Sequence, residues 1–351
     1  MAHGFPIKRC GGWWIHGPLR VVILLALVAA PAAADVVPSD AGPAAPLSTE
    51  EAACPDVDAC PPSDLQSDVQ SDVWVVSTRR LPGICRMPSS ADVTVERCGG
   101  SGRWERSDVG TLLGDTSRPL LVFVHGNRYE AGVAKSQGVT LARKLAATCP
   151  GVAPVRTVIF SWPSSKQGIL LNDGRLKYER ARADGHYLAW LLGQVEPTRP
   201  VAVVGYSFGA LITLEAIDDL VEAEREGRGD VQPWIDRPGR THLVFVAAAV
   251  RCDALAPRGP YRDAVACIDR LILVNNTSDN ALKFFPWLDH DLRVGALGHV
   301  GMPRRWLPES VEQSTTDAAT IVGKSHALPL YLASPALSRR IATGALEGLS
   351  P

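Results

Sequence analysis

The chain has 351 residues, 46% of them hydrophobic and 21% charged, which is the composition of a globular protein with a sizeable core. Its 36 Lys and Arg nearly balance its 37 Asp and Glu, so no global field directs it toward nucleic acid or an anionic membrane. These values exclude a disordered chain and indicate no nucleic-acid partner.

The first predicted element is a signal peptide over residues 1–34. Lys8, Arg9 and Arg20 precede an apolar run over 21–30, and three alanines then offer a cleavage site. The apolar run is short for a membrane span, so an uncleaved anchor is the less favoured alternative. We therefore expect export to the periplasm or the cell exterior.

Residues 35–71 are rich in Ala, Pro, Ser and Asp, and are predicted to form a flexible linker before a single domain over 72–351. An exported chain can keep disulfides. The spacing suggests local cysteine pairs with Cys149 left free, although the sequence does not fix the connectivity. The suggested pairs are Cys54/Cys60, Cys85/Cys98 and Cys252/Cys267. No C-x-x-C spacing is present, so we expect no metal bound through cysteine.

Strands and helices are predicted to alternate through the rest of the chain. The predicted strands are 73–78, 119–126, 155–163, 200–207, 241–250 and 270–279. The predicted helices are 131–148, 175–195, 209–226 and 334–349. Strands without polar alternation are typical of a parallel sheet buried on both faces. We therefore predict an α/β fold with a mostly parallel central sheet flanked by helices on both faces, and an active site at the carboxyl ends of the strands.

The strongest motif is Gly205-Tyr206-Ser207-Phe208-Gly209, between an apolar strand and an amphipathic helix. In a G-x-S-x-G elbow the serine sits on a strained strand-to-helix turn, and Gly205 and Gly209 avoid side-chain clashes. Ser207 is therefore the candidate nucleophile. The alternative is a tight turn whose serine only caps the helix.

A loop that follows an earlier strand offers amides for an oxyanion hole. The strand before His125 leads into Gly126 and Asn127, and such a loop supplies one donor while the residue after the nucleophile supplies the other. We expect the Phe208 and Asn127 amides to be the donors, with Arg128 as the second choice. His125 is expected to shape the loop through ring hydrogen bonds.

The acid is expected just after a later strand, where a carboxylate can orient a histidine. Asp279 has that position. Asp253, which follows the preceding strand, is the rival, and Asp289 and Asp291 fit less well. An aspartate at such a place also serves as an ordinary turn or helix cap.

The base is expected late in the chain, because the order in α/β hydrolases is Ser, Asp, His. His326, in a loop before the last helix, is favoured, and His299 is the second candidate ahead of His290. His186 and His242 fall inside a helix and at a strand start. They are expected to be surface or structural histidines.

Several quoted segments give a family resemblance. They are "FVHGN" (123–127), "FSWPS" (Phe160–Ser164), "TSDNAL" (Thr277–Leu282) and "SHALPLY" (Ser325–Tyr331). With them, the chain resembles bacterial α/β hydrolases of unknown function over about residues 72–345. The resemblance implies Ser207 as nucleophile, Asp279 as acid and His326 as base.

These observations predict an exported serine hydrolase of esterase or lipase type, which cleaves carboxylic esters through an acyl-enzyme. A small-molecule or lipid acyl substrate is expected, with no metal, no organic cofactor, no nucleic acid and no obligatory partner. Two alternatives remain. One is a non-catalytic binding or scaffold protein on a hydrolase fold, and the other is an acyltransferase.

Overall fold

The computed structural model describes residues 72–99, 103–167, 170–288 and 294–349. The predicted signal peptide (1–34), the predicted linker (35–71) and the suggested Cys54/Cys60 pair lie outside these ranges. None of the described helices is long and apolar enough to cross a bilayer.

The described strands are β1 (Asp72–Ser77), β2 (Thr94–Cys98), β3 (Trp104–Ser107), β4 (Leu120–Val124), β5 (Arg156–Ser161), β6 (Val201–Tyr206), β7 (Thr241–Val246), β8 (Arg270–Asn275) and β9 (Glu312–Asp317). The described α-helices are α1 (Val109–Gly114), α2 (Ala131–Thr148), α3 (Leu170–Leu192), α4 (Phe208–Arg225), α5 (Asn280–Lys283), α6 (Leu297–Val300), α7 (Ala319–Val322), α8 (Leu328–Ala333) and α9 (Pro335–Leu346).

All nine described strands form one sheet in the order β3-β2-β1-β5-β4-β6-β7-β8-β9. The pairs β1–β2 and β2–β3 are antiparallel, and every other pair is parallel. The parallel strands β4 to β7 are buried along their whole length. This agrees with the predicted mostly parallel sheet, because strands covered by helices on both faces need apolar side chains at every position.

The connections place helices on both faces of the sheet. The β4–α2–β5 crossover runs toward β1, whereas the β6–α4–β7 crossover runs toward β9. Since such crossovers are right-handed, opposite directions put α2 and α4 on opposite faces. Helix α9 packs with α2, and α3 packs with α4. Strands are added to the sheet in one direction after β4 and in the opposite direction after β6. The carboxyl ends at such a switch point form a crevice for ligands.

Close contacts between helices and strands depend on two glycines. A Cβ at Gly138 of α2 would lie 2.4 Å from the Ile159 side chain of β5, and one at Gly344 of α9 would lie 2.6 Å from Ile272 of β8. Any larger side chain would push these helices off the sheet.

Two predicted strands are four residues shorter in the structure, and three strands of the structure were not predicted. Strand β7 ends at Val246 rather than at 250, because Ala247 turns into a left-handed conformation with φ 46°. Strand β8 ends at Asn275, before the turn that carries Asp279. Strand β2 and the two edge strands, β3 and β9, were not predicted. Their sequences are TVERC, WERS and EQSTTD, and such mixed or polar segments have no continuous apolar run.

The cysteines differ in part from the suggested pairing. Cys85 and Cys98 are each disulfide-bonded. Cys149 is free, as expected. The suggested Cys252/Cys267 pair is wrong, because both residues are free thiols and Cys267 is buried.

Candidate active site

The serine elbow joins β6 directly to α4. Ser207 is the single residue between the two elements, and it is held at φ 54° and ψ −119°. A Cβ at Gly209 would lie 2.0 Å from the Val124 carbonyl oxygen, and one at Gly205 would lie 2.9 Å from the Ala210 nitrogen. Only glycine therefore fits on either side of the serine. A strained, over-determined backbone of this kind is characteristic of functional sites.

The strained elbow is fixed by backbone hydrogen bonds from neighbouring segments. The Ser207 amide donates to the Val246 carbonyl at 3.0 Å, and the Ser207 carbonyl accepts from the Ala249 amide at 3.0 Å. The last residue of β7 and the segment that follows it therefore hold the amide and the carbonyl of Ser207 in place. The Ser207 side chain stays beside the carboxyl ends of the strands.

The acid is placed by the turn after β8. Asp279 is fully buried and caps α5, with Oδ1 accepting from the Ala281 amide at 2.8 Å and the Leu282 amide at 3.1 Å. Its other oxygen, Oδ2, lies 2.6 Å from His326 Nδ1. The two amides fix the position of the carboxyl group, so its other oxygen can accept from Nδ1–H and hold that imidazole tautomer.

The base comes from the loop between α7 and α8. His326 Nε2 lies 2.8 Å from Ser207 Oγ, which completes a hydrogen-bonded chain from serine to histidine to aspartate. The Tyr206 hydroxyl donates to the His326 carbonyl. The Asn276 amide group donates to the Gly323 and Ser325 carbonyls and holds the same loop.

The rival acids and bases lie elsewhere or outside the described residues. His299 Nδ1 lies 3.3 Å from the Asn276 carbonyl oxygen, so His299 faces the back of the turn rather than Ser207. Asp253 forms an ion pair with Arg251 at 2.6 Å. The remaining candidates, Asp289, His290 and Asp291, fall outside the described ranges.

The loop after β4 packs directly against the serine. A Cβ at Gly126 would lie 2.8 Å from Ser207 Cβ, so Gly126 allows this approach. The next residue in this loop is Asn127. Among the described residues, neither the Asn127 amide nor the Phe208 amide donates a hydrogen bond to another protein group. The two predicted oxyanion donors, the Asn127 and Phe208 amides, therefore have no acceptor within the described part of the protein.

Arg128, the second choice for that role, has its amide engaged. The Arg128 N–H donates to the Ser164 carbonyl at 2.8 Å and lies 2.8 Å from Asn127 Oδ1, while its φ is 63°. Its guanidinium Nε lies 3.3 Å from the buried Asp173 carboxylate of α3. Arg128 therefore ties the loop to α3 and has no free amide for an oxyanion.

His125 is a structural residue within this loop. Its ring is fully buried, and burial lowers its pKa to about 3, so the imidazole is neutral. Nδ1–H donates to the Gly126 carbonyl at 2.9 Å, and the ring stacks on Tyr129 and Trp162. Trp162 Nε1 in turn donates to the His125 carbonyl at 2.8 Å.

One supporting residue was missed from the sequence. Arg79, in the turn after β1, donates to Ser161 Oγ at 2.8 Å and to the Tyr129 carbonyl at 2.8 Å. Its guanidinium also lies 3.5 Å from His125 Nε2. Arg79 thus joins the loops that follow β1, β4 and β5. The only signal was its place at a strand end, which no motif marks.

An aromatic wall extends from the elbow toward α5. The Phe208 ring lies 6.5 Å from Trp162 and 6.2 Å from Tyr178, and Tyr178 lies 6.0 Å from Phe285. Edge-to-face packing of this kind is a favourable arrangement of aromatic rings. Because Trp162, Phe208 and Phe285 are buried, the rings form part of the core behind Ser207.

One group of side chains in the described chain has the spacing of a cation site. His186, Glu215 and Asp219 are buried between α3 and α4. Glu215 accepts from Tyr261 at 2.6 Å and pairs with Arg182 at 3.3 Å, while His186 Nδ1 lies 2.5 Å from Asp219. The Arg182 guanidinium offsets the charge of Glu215, and His186 contacts the second carboxylate, Asp219. His186 is a structural histidine and not a surface one.

A family model described as "Alpha/beta hydrolase of unknown function (DUF900)" matches residues 105–327. No curated protein matches the sequence significantly.

Solved structures with a similar chain path include three hydrolytic enzymes. A bacterial heroin esterase is 15% identical, with 82% of this chain and 86% of the other covered and a TM-score of 0.35. An esterase of Pyrobaculum calidifontis is 16% identical, with 71% and 83% covered and a TM-score of 0.30. The Zea mays acyl-protein thioesterase 2 is 13% identical, with 57% and 84% covered and a TM-score of 0.28.

Proposed function

Because this chain belongs to the family of alpha/beta hydrolases of unknown function, we propose that it is a serine hydrolase that cleaves carboxylic esters through an acyl-enzyme. The observation that supports the proposal is the chain of hydrogen bonds at the elbow. It runs from Ser207 Oγ to His326 Nε2 at 2.8 Å and from His326 Nδ1 to Asp279 at 2.6 Å. Nucleophile, base and orienting acid are thus in mutual contact.

The first half of the reaction forms the acyl-enzyme. His326 Nε2 accepts the Ser207 proton as Oγ attacks the acyl carbon, and Asp279 stabilises the imidazolium. The Phe208 and Asn127 amides donate to the oxyanion of the tetrahedral intermediate. When this intermediate collapses, the ester C–O bond breaks and the alcohol leaves with the proton from His326.

The second half releases the acid. Water gives a proton to His326 Nε2 and attacks the acyl carbon, and the same amides receive the second oxyanion. Collapse breaks the bond to Ser207 Oγ, which recovers its proton from His326. No oxidant, reductant or co-substrate other than water enters the balance.

The test is hydrolysis of p-nitrophenyl acetate by three forms of the full chain. Ser207→Ala is expected to lower kcat/KM by about 10,000-fold or more, because the nucleophile is lost. The matched control, Ser136→Ala, removes an exposed serine of α2 and leaves the rate unchanged. Full activity in Ser207→Ala would contradict the proposal.

We also propose that the chain is exported, as its first 34 residues suggest. The disulfide-bonded state of Cys85 and Cys98 supports this, because disulfides persist in oxidising compartments. Fractionation of cells that express the full chain tests it. The expected result is a shortened form outside the cytoplasm, and full-length protein in the cytoplasm would contradict it.

A further inference from the structure

The exposed apolar side chains of this molecule are gathered at one end of the sheet. Among the described residues, seven large hydrophobic side chains are exposed, with exposed fractions from 41% to 61%. They are Val133, Leu176, Phe284, Trp287, Val300, Ile321 and Leu330. We call this set the apolar rim.

Chain connectivity places the rim around the nucleophile. Val133 lies in the first turn of α2, just after β4, and Ile321 lies in α7, just after β9. Phe284 and Trp287 follow the turn that holds Asp279, downstream of β8. All of these segments leave the carboxyl ends of parallel strands, which is the end where Ser207 lies.

The other three rim residues also lie at this end. Val300 ends α6, whose Gly298 amide donates to the Ala248 carbonyl just after β7. Leu330 lies in α8, directly after the loop that carries His326. Leu176 lies in the second turn of α3, where its neighbour Arg175 donates to the Trp287 carbonyl at 3.2 Å. This hydrogen bond joins the α3 part of the rim to the segment with the exposed aromatic rings.

The opposite end of the sheet has no counterpart in the part of the chain that is described. The loops at 149–155, 193–200 and 226–240 lead into strands, and none of them carries an exposed large hydrophobic side chain. Their apolar residues, such as Val152 and Ile235, are partly buried against the core. Single exposed hydrophobic residues are ordinary, but their confinement to one face is a mark of an interaction surface.

The same end also carries cations. Lys283 precedes Phe284, and Arg128 has 45% of its side chain exposed beside the oxyanion loop. Three more cationic residues lie on segments of this end: Lys166, Arg175 and Lys324. Two exposed acids also lie at this end: Glu130, which accepts from Ser165 at 2.7 Å, and Asp317, which accepts from Thr277 at 2.7 Å. Arg128 is paired with the buried Asp173, and the other four cations outnumber these two acids.

Exposed aromatic and aliphatic side chains flanked by cations match the boundary of a lipid layer that contains anionic headgroups. We infer that this end of the molecule docks on such a lipid surface, and that the ester cleaved by Ser207 is an acyl ester presented there. The choice of substrate class rests on the proposed function, whereas docking itself does not.

Sedimentation with vesicles tests the docking. Full-length protein is mixed with vesicles of phosphatidylcholine alone or of phosphatidylcholine and phosphatidylglycerol in equal parts. Binding is expected to be stronger to the mixed vesicles. The double variant Phe284→Ser/Trp287→Ser is expected to bind them about tenfold or more weakly, because it removes two exposed rings. The control Val152→Ser, at the opposite end of the sheet, binds as the native chain does.

Three outcomes separate this inference from the proposed function. Native protein that cleaves soluble p-nitrophenyl acetate but does not bind either vesicle overturns the docking and leaves the hydrolase intact. Vesicle binding without cleavage of any ester supports docking and overturns the hydrolase and its lipid substrate. A native dimer in size-exclusion chromatography that the double variant converts to monomer would assign the rim to a second copy and overturn the inference.

Discussion

The two ends of the central sheet differ in backbone strain and in the large hydrophobic side chains that they expose. Of the four non-glycine residues with positive φ in the described chain, three follow the carboxyl ends of strands: Arg128, Ser207 and Ala247. The fourth, Asp236, lies in a surface loop. The carboxyl end also holds the apolar rim and the two amides without acceptors. These features gather at the end of the sheet where Ser207 lies, and strained backbone of this kind is characteristic of functional sites.

The amino end is held together by arginines that bond carboxylates and backbone carbonyls. Arg156 is buried, and its guanidinium bonds the Asp72 carboxylate, the Leu112 carbonyl at 2.6 Å and the Asp115 carboxylate at 3.1 Å. Arg237 bonds backbone carbonyls of the neighbouring loops in the same manner. Substitutions at the carboxyl end are therefore expected to lower kcat. Substitutions at the amino end are expected to lower the free energy of unfolding instead.

The largest effect is expected from a change that removes the acid and keeps the fold. Asp279→Asn keeps an oxygen for capping α5, but it no longer favours the tautomer that His326 needs. We expect kcat to fall by about 10,000-fold while the melting temperature stays near that of the native chain. Steady-state kinetics and thermal unfolding measure both quantities. A variant that melts early would show that Asp279 acts mainly as a helix cap.

The corresponding change at the amino end is Arg156→Met. It leaves the buried Asp72 carboxylate without its closest guanidinium, so we expect the free energy of unfolding to fall by about 3 kcal/mol with kcat unchanged. Arg118→Met is the matched control. Arg118 is 41% exposed and lies 3.8 Å from Asp72, so its loss should cost less than about 1 kcal/mol. Equal losses in both variants would contradict the assigned role of Arg156.

A pair of glycines compares the two ends with one kind of substitution. Gly126→Ala puts a methyl group 2.8 Å from Ser207 Cβ, so we expect it to displace the oxyanion loop and lower kcat by about 100-fold. Gly239→Ala puts its methyl 2.6 Å from the Arg199 carbonyl oxygen at the amino end. It should lower stability by about 1–3 kcal/mol and spare kcat. The separation fails if both variants lose activity to the same degree.

Buried histidines at both ends of the sheet should make the folded state less stable in acid. Burial lowers the pKa of His125 to about 3 at the carboxyl end and that of His242 to about 4 at the amino end. Both values lie below the unfolded value of about 6.5, so the folded state binds fewer protons and loses stability as pH falls from about 6.5 toward 4. Each histidine should cost about 2 kcal/mol between about pH 7 and pH 5.

One carboxyl opposes this trend. Burial raises the pKa of Asp184 to about 6, so protonating it in acid favours the folded state and offsets about 1 kcal/mol over the same interval. Urea unfolding at the two pH values measures the sum. His242→Gln is expected to remove about 2 kcal/mol of the difference. An unchanged difference would show that His242 does not carry its share.

The smallest effect is expected within the apolar rim. Val133→Ala changes a side chain that is 41% exposed, so the free energy of unfolding should change by less than about 0.5 kcal/mol. On the same helix, Val139→Ala changes a buried side chain and should cost about 2 kcal/mol. Chemical denaturation compares the two. A large loss in Val133→Ala would mean that the rim contributes to the core.

The sequence could predict the parts of the fold that depend on continuous apolar runs. Strands β4 to β8 are buried, and their runs of apolar side chains predict them from the sequence. Helix α2 was predicted with its observed bounds. The edge strand β9 could not be found, because its residues EQSTTD are largely exposed and polar. Its place in the sheet is set by pairing with β8 rather than by its own pattern.

The candidate site was predictable where position along the fold decides the chemistry. Ser207 and Asp279 end predicted strands, His326 precedes the last predicted helix, and the structure brings all three into one hydrogen-bonded chain. Arg79 was missed because its role depends on three loops that are distant in sequence and meet only in the folded chain. The left-handed backbone conformation of Arg128 was not predicted for the same reason, since its amide is fixed by the Ser164 carbonyl.

Reaction with a fluorophosphonate probe, followed by peptide mass spectrometry, tests the central claim most directly. The probe phosphonylates a serine only when a neighbouring base activates it. We predict a single modified residue in the folded native chain, Ser207, with no labelling in Ser207→Ala and much slower labelling in Asp279→Asn. Folded protein whose Ser207 peptide stays unmodified would contradict the account.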